Sequence, residues 1–64
     1  MRFDELKKGN IYTDKDGVNA YEFVGIRNES IATFKACIYS EEKGDYITTE
    51  EIRYLTANEV SKLI

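Results

Sequence analysis

The chain has 64 residues with a single cysteine and no histidine, which excludes an intramolecular disulfide and the usual cysteine and histidine zinc sites. Hydrophobic residues make up 42% of it and charged residues 33%, a composition typical of a globular and not of a disordered chain. The net charge of −3 disfavours nucleic acid as a partner, because a general nucleic-acid binder neutralises phosphates with an excess of lysine and arginine.

The length predicts a single domain over residues 1–64, which the strand patterns below make a small β domain, and we expect it to hold no cofactor or metal. A chain this short buries only about 60% of the surface that it exposes when unfolded, so good packing or association with another chain must stabilise it. Asp4 and Glu5 stand where a signal peptide would need an apolar segment, and no apolar run reaches membrane-spanning length. We therefore expect a cytoplasmic protein that does not enter a membrane.

The first residues predict a short helical turn that leads into a strand. Phe3 and Leu6 are three positions apart and Gly9 follows, which indicates one helical turn with a glycine C-cap. Residues 10–13 then form a short strand. The Asp-Lys-Asp-Gly sequence at 14–17 indicates a hairpin turn, since it fails the ligand spacing of a calcium-binding EF-hand.

Two longer strands occupy the middle of the chain. The first covers residues 20–27, and Gly25 inside it indicates a bulge or a sharp bend. A turn at 28–30 leads into the second, residues 31–40, and the charged segment 41–45 forms the next turn.

The last third of the chain predicts a fourth strand and a short helix. The strand starts at Tyr46, but the stretch 48–51 could be either a bend between two short strands or the first turn of a helix. Thr56 and Glu59 have the spacing of a capping box, which predicts a short terminal helix with one apolar face: Val60, Leu63 and Ile64. The predicted fold is mainly β, a small curled antiparallel sheet or an SH3-like barrel of four to five strands with a short C-terminal helix.

One sequence pattern resembles small SH3-like barrel proteins of phages and prophages. It consists of Leu6-Lys7-Lys8-Gly9 followed by Ile11-Tyr12 and, after a turn, Tyr21-Glu22-Phe23-Val24-Gly25. The resemblance implies no catalytic residues, because members of this group bind proteins, peptides or nucleic acids. It also implies a viral protein that a phage could use against a protein of its bacterial host.

The residues that could support catalysis do not form a catalytic arrangement. Cys37 lies in an apolar run, and the chain has no histidine to lower its pKa. The carboxylate pairs at 41–42 and 50–51 consist of adjacent residues, which point to opposite faces if they lie in strands. We therefore expect no enzymatic activity.

The negative charge of the chain is concentrated near its C-terminal end. Residues 1–40 carry six basic and six acidic side chains, whereas residues 41–64 carry three basic and six acidic ones. The acidic segment 41–51 is either a solvated hairpin rim or a recognition surface for a partner with a basic surface.

The two central strands are apolar on both sides. In 31–40, one face consists of Ala32, Phe34, Ala36 and Ile38, and the opposite face, which also carries apolar side chains, consists of Ile31, Thr33, Lys35, Cys37 and Tyr39. In 20–27, alternation points Tyr21 and Phe23 to one face of the sheet and Val24 and Ile26 to the other face. Either barrel curvature with Phe3, Leu63 and Ile64 covers both faces, or one face is an interface with a partner or a second copy.

These observations predict a non-enzymatic protein-binding module that forms a homodimer. Its most concrete form is a phage-encoded inhibitor that occludes a host defence protein. A small nucleic-acid-binding barrel and a structural or assembly component of a phage particle are the alternatives. Tyrosines can serve as rigid anchors and acidic groups can steer a basic partner. The predicted partner-binding residues are Ile31, Tyr39, Glu41, Glu42, Asp45, Tyr46 and Tyr54.

Overall fold

The computed structural model describes residues 1–64 as one four-stranded antiparallel sheet with a short segment at each end. The strands follow one another in space as they do in sequence, and the first and last do not pair, so the sheet is open. A curled sheet with a C-terminal helix is confirmed, whereas the barrel alternative is wrong. The elements are a 3-10 turn (Phe3–Glu5), β1 (Ile11–Thr13), β2 (Ala20–Asn28), β3 (Ile31–Ser40), β4 (Asp45–Thr56) and α1 (Ala57–Val60).

One face of the sheet forms the core. Phe34 is completely buried, and its ring lies edge-to-face against Phe23 at 5.4 Å and Tyr21 at 5.9 Å between centroids. Residues before β1 and after β4 cover this face from outside. We call it the core face; its buried cluster consists of Leu6, Tyr12, Phe23, Ala32, Phe34, Leu55, Val60 and Leu63.

The bulge predicted from Gly25 is present in β2. Between Phe23 and Gly25 the register against β3 shifts by one residue, so Val24 has no cross-strand partner of its own. Ile26 consequently lies opposite Ala32, a core residue, and the prediction that it faces away from Phe23 is wrong. The extra residue shifts the alternation of the side chains along β2 by one position, so the residues after the bulge point to the face opposite to the one that strict alternation predicts.

The ambiguous stretch 48–51 belongs to the continuous strand β4, so both the helical alternative and the division into two short strands are wrong. The register shifts here too, because Cys37 lies opposite Thr48 whereas Lys35 lies opposite Ile52. The hydroxyl of Thr49 donates to the backbone carbonyl of Ala36 at 2.8 Å. This contact ties the irregular stretch to β3.

The N-terminal turn is shorter than predicted. It ends at Glu5, its C-cap is Leu6, and the Leu6 side chain enters the core. Gly9 has φ +88° in a separate turn, where its N–H donates to the carbonyl of Phe23 at 3.0 Å. The glycine therefore turns the chain into β1 and does not cap a helix.

The predicted capping box begins α1. Thr56 Oγ1 accepts from the Glu59 N–H at 3.3 Å, and Glu59 Oε1 accepts from the Thr56 N–H at 3.0 Å. Val60 and Leu63 are buried, but Ile64 is 65% exposed. Ile64 lies beyond the helix, and its N–H donates to the carbonyl of Thr13 at 2.9 Å, so the prediction that it shares the buried face is wrong. No helix in the structure is both long and apolar enough to cross a membrane.

Candidate functional site

The second face of the sheet has no covering element. The odd-numbered residues of β3 point away from the core, and the register sets residues of β4 beside them on the same side. None of them is buried. We call this surface the open face; on β3 and β4 it consists of Ile31, Thr33, Lys35, Cys37, Tyr39, Tyr46, Thr48, Ile52, Tyr54 and Thr56.

An aromatic pair occupies the end of the open face near the β3–β4 turn. Tyr39 and Tyr46 lie directly opposite each other, with ring centroids 5.4 Å apart and planes at 78°. Tyr39 is 58% exposed. Because each ring holds the other in an edge-to-face arrangement, the pair presents a rigid apolar surface with two hydroxyl groups.

The other end of the open face combines apolar side chains with a cation. Ile31 and Tyr54 lie on neighbouring strands, and Ile52 precedes Tyr54 on the same side of β4. The guanidinium carbon of Arg27 sits 4.7 Å from the centre of the Tyr54 ring. This cation–π contact keeps a positive charge over an otherwise apolar surface.

The middle of the open face is polar, and its groups contact one another. Thr48 Oγ1 donates to Glu22 Oε1 at 2.6 Å and lies 3.5 Å from the sulfur of Cys37. The ammonium of Lys35 is 3.9 Å from a carboxylate oxygen of Glu50. These groups therefore need no contact from a partner to satisfy them.

The β3–β4 hairpin extends beyond the rest of the sheet. Since β2 begins at Ala20, opposite Cys37, residues 38–47 have only each other as neighbours in the sheet. We call this two-stranded segment the arm. Ile38 and Ile47 lie opposite each other on the side that continues the core face, and they are 59% and 36% exposed. The arm is thus apolar on both sides and covered on neither.

Three of the predicted residues lie at the tip of the arm. Glu41 and Glu42 are exposed in the turn, and Asp45 begins β4 opposite Ser40. None of the three makes an ion pair. We call Glu41, Glu42 and Asp45 the acidic tip. Its negative charge is offset only by the neighbouring Lys43.

The core side of the molecule carries a small groove. It has a volume of about 210 Å³, below the range of about 300 to 1,000 Å³ of small-molecule sites, and Asp14 and Tyr21 are among its lining residues. The Asn19 side chain donates to the Asp14 carboxylate at 2.9 Å and, with backbone N–H groups, holds the pKa of Asp14 below its ordinary value. This carboxylate therefore stabilises its own turn.

The structure puts the predicted residues in two places. Ile31 and Tyr54 share one end of the open face, whereas Tyr39 and Tyr46 share the other, about 26 Å away at about 3.3 Å per residue along β3. The acidic tip adjoins the tyrosine pair.

Sequence reasoning missed Arg27 and Ile52 as parts of this surface. Arg27 reaches the open face from a second register shift in β2, between Ile26 and Asn28. The position of Ile52 could have been predicted from the sequence. Side chains alternate along a strand, so every second residue counted back from Thr56, at the start of the helix, lies on one face, and this places Ile52 on the same face as Tyr54.

Neither the models of known protein families nor the curated proteins nor the solved structures give a significant match to this chain.

Proposed function

We propose that this chain is a non-enzymatic protein-binding module that acts by occluding a surface of another macromolecule. One observation supports this proposal most directly. Five large apolar side chains are more than a third exposed: Tyr39, Ile52 and Tyr54 on the open face, and Ile38 and Ile47 on the opposite side of the arm. A small protein rarely leaves so much apolar surface in contact with water unless another molecule covers it.

The chemistry of this surface favours a protein partner with a basic surface. Tyr39 and Tyr46 are pre-ordered by their mutual contact, so docking against them costs little side-chain entropy. The acidic tip beside them attracts cationic groups and raises the rate of encounter. The rim of a protein interface commonly has this arrangement of charge around aromatic anchors.

The most specific form of the proposal is a phage-encoded inhibitor that binds a host defence protein in the bacterial cytoplasm. Its support is the resemblance of the segments at 6–12 and 21–25 to small phage proteins. Because the sheet is open, the resemblance does not extend to the barrel fold, and the exposed apolar surface is the stronger support for the proposal.

A capture experiment tests the proposal. The purified chain is immobilised and exposed to bacterial lysate, alongside a variant with Glu41, Glu42 and Asp45 changed to lysine. A control variant has the exposed residues Asp4, Asp16 and Glu29 changed to lysine, which alters the net charge equally but leaves the arm intact. We expect loss of capture only in the arm variant.

Equal capture by both variants would show that the acidic tip does not contribute. Salt-dependent retention of the wild-type chain on single-stranded DNA or RNA would favour the nucleic-acid alternative instead. Large assemblies in solution would favour a structural component of a phage particle.

A further inference from the structure

We propose that the open face is covered by the open face of a second copy, in a two-fold dimer whose strands run antiparallel across the interface. This inference rests on the proposed function, because it names a partner for the same surface. The side of the arm that carries Ile38 and Ile47 points away from this interface and stays available to another protein.

The charges of the open face favour this orientation. The guanidinium of Arg27 lies over Tyr54, which is opposite Thr33, four residues from Cys37 along β3, and Glu42 lies five residues from Cys37 in the other direction. A two-fold axis that passes near Cys37, perpendicular to the strands, therefore brings Arg27 of each copy to the acidic tip of the other. A parallel arrangement would instead place like charges together, which is unfavourable.

The same axis places the tyrosine pair of each copy against a complementary part of the other copy. Tyr39 is two residues from Cys37 on one side, and Lys35 is two residues from it on the other, with Ile52 opposite Lys35. Each tyrosine pair thus lies over the Lys35 and Ile52 side chains of the other copy. An aromatic ring attracts an ammonium group and packs well against an aliphatic chain, and symmetry makes every contact twice.

The available area sets the strength of the dimer. Strands β3 and β4 present a strip about 10 Å wide and about 33 Å long, or about 330 Å² of flat surface for each copy before side-chain relief. Specific interfaces bury about 600 to 1,000 Å² for each partner. The flat strip alone is below this range, so the relief of the side chains and the contacts of the acidic tip must add to it, and we expect a weak dimer that dissociates in the micromolar range.

Matched lysine variants identify the face. Tyr39 and Ile38 are neighbours with nearly equal exposure, 58% and 59%, but they point to opposite sides of the arm. Molar mass is measured by light scattering from low to high micromolar concentrations of the purified chain. We expect the wild type to rise from one copy to two, Ile38→Lys to behave like the wild type, and Tyr39→Lys to raise the dissociation constant roughly tenfold or more.

A charge exchange tests the orientation. Arg27→Glu and Glu42→Arg should each weaken the dimer, and the double variant should recover it, because the pair is then reversed on both sides of the axis. Weakening that adds up in the double variant would contradict the antiparallel arrangement.

The single cysteine supplies an independent measurement. Cys37 lies near the axis, so the second copy covers its thiol in the dimer. We expect the rate constant for its reaction with a maleimide to fall as the wild type and Ile38→Lys are concentrated, and to stay constant in Tyr39→Lys.

A wild-type chain that stays monomeric at every concentration would refute the dimer, as would a dimer that Ile38→Lys disrupts and Tyr39→Lys does not. These measurements use the purified chain without lysate. A monomer whose capture of a lysate protein is lost on changing the acidic tip would therefore refute the dimer and leave the proposed function intact.

Discussion

Replacing Phe34 tests the division of the molecule into a packed body and an uncovered arm. Phe→Ala costs about 3 to 5 kcal/mol in a protein core, and a domain of this length has about 3 to 10 kcal/mol in total, so alanine would leave little folded protein. Phe34→Leu keeps the site apolar but removes the edge-to-face contacts with Tyr21 and Phe23. Each such contact contributes about 0.5 to 1.5 kcal/mol, so we expect a loss of about 1 to 3 kcal/mol.

The matched control is Ile38→Ala, on the same strand and the same side as Phe34 but 59% exposed. We expect it to change the free energy of unfolding by less than about 0.5 kcal/mol. Urea unfolding followed by circular dichroism measures both, and thermal unfolding should fall by about 4 to 8 °C per kcal/mol lost. Comparable losses for the two variants would mean that the arm is packed, which would refute the reasoning from exposure.

Three further predictions concern local contacts. Thr56→Ala removes the N-cap of α1 and should lower the free energy of urea unfolding by about 1 kcal/mol, whereas an unchanged midpoint would show that the cap contributes nothing. Hydrogen bonds from Asn19 lower the pKa of Asp14, so the carboxylate stabilises the fold above its ordinary pKa and this contribution is lost as pH falls. Asp14→Ala should therefore lower the free energy of unfolding at neutral pH. The difference in this free energy between the variant and the wild type should shrink below about pH 4. A double-mutant cycle on Arg27 and Tyr54 should give a coupling of about 0.5 to 1 kcal/mol, and no coupling would mean that the guanidinium does not stay over the ring.

Local sequence signals were sufficient for much of the fold. The bounds of β3 were predicted as Ile31 and Ser40, because turn-forming residues stand on both sides of it; the Asn28 side chain, for example, accepts from the Ser30 N–H at 2.8 Å. The start of α1 followed from the capping box at Thr56 in the same way. Signals of this kind involve residues only a few positions apart.

The features that the sequence did not reveal depend on pairing between distant residues. The side on which Ile26 lies depends on how many residues of β2 oppose β3, and a bulge changes that number. The arm exists because β2 starts at the level of Cys37, a relation that no local pattern encodes. For the candidate site, alternation along β3 placed Ile31 and Tyr39 on one face, but only the cross-strand register adds Arg27 and Ile52.

The irregular stretch of β4 has a consequence for the colloidal behaviour of the protein. Strand β4 is the outer edge of the sheet over twelve residues, and a flat edge of that length would template strands of other chains and promote fibril growth. The register shift at 49–51 bends this edge, while Glu50, Glu51 and Arg53 place charges along it. The addition of strands from other chains at this edge is thereby hindered.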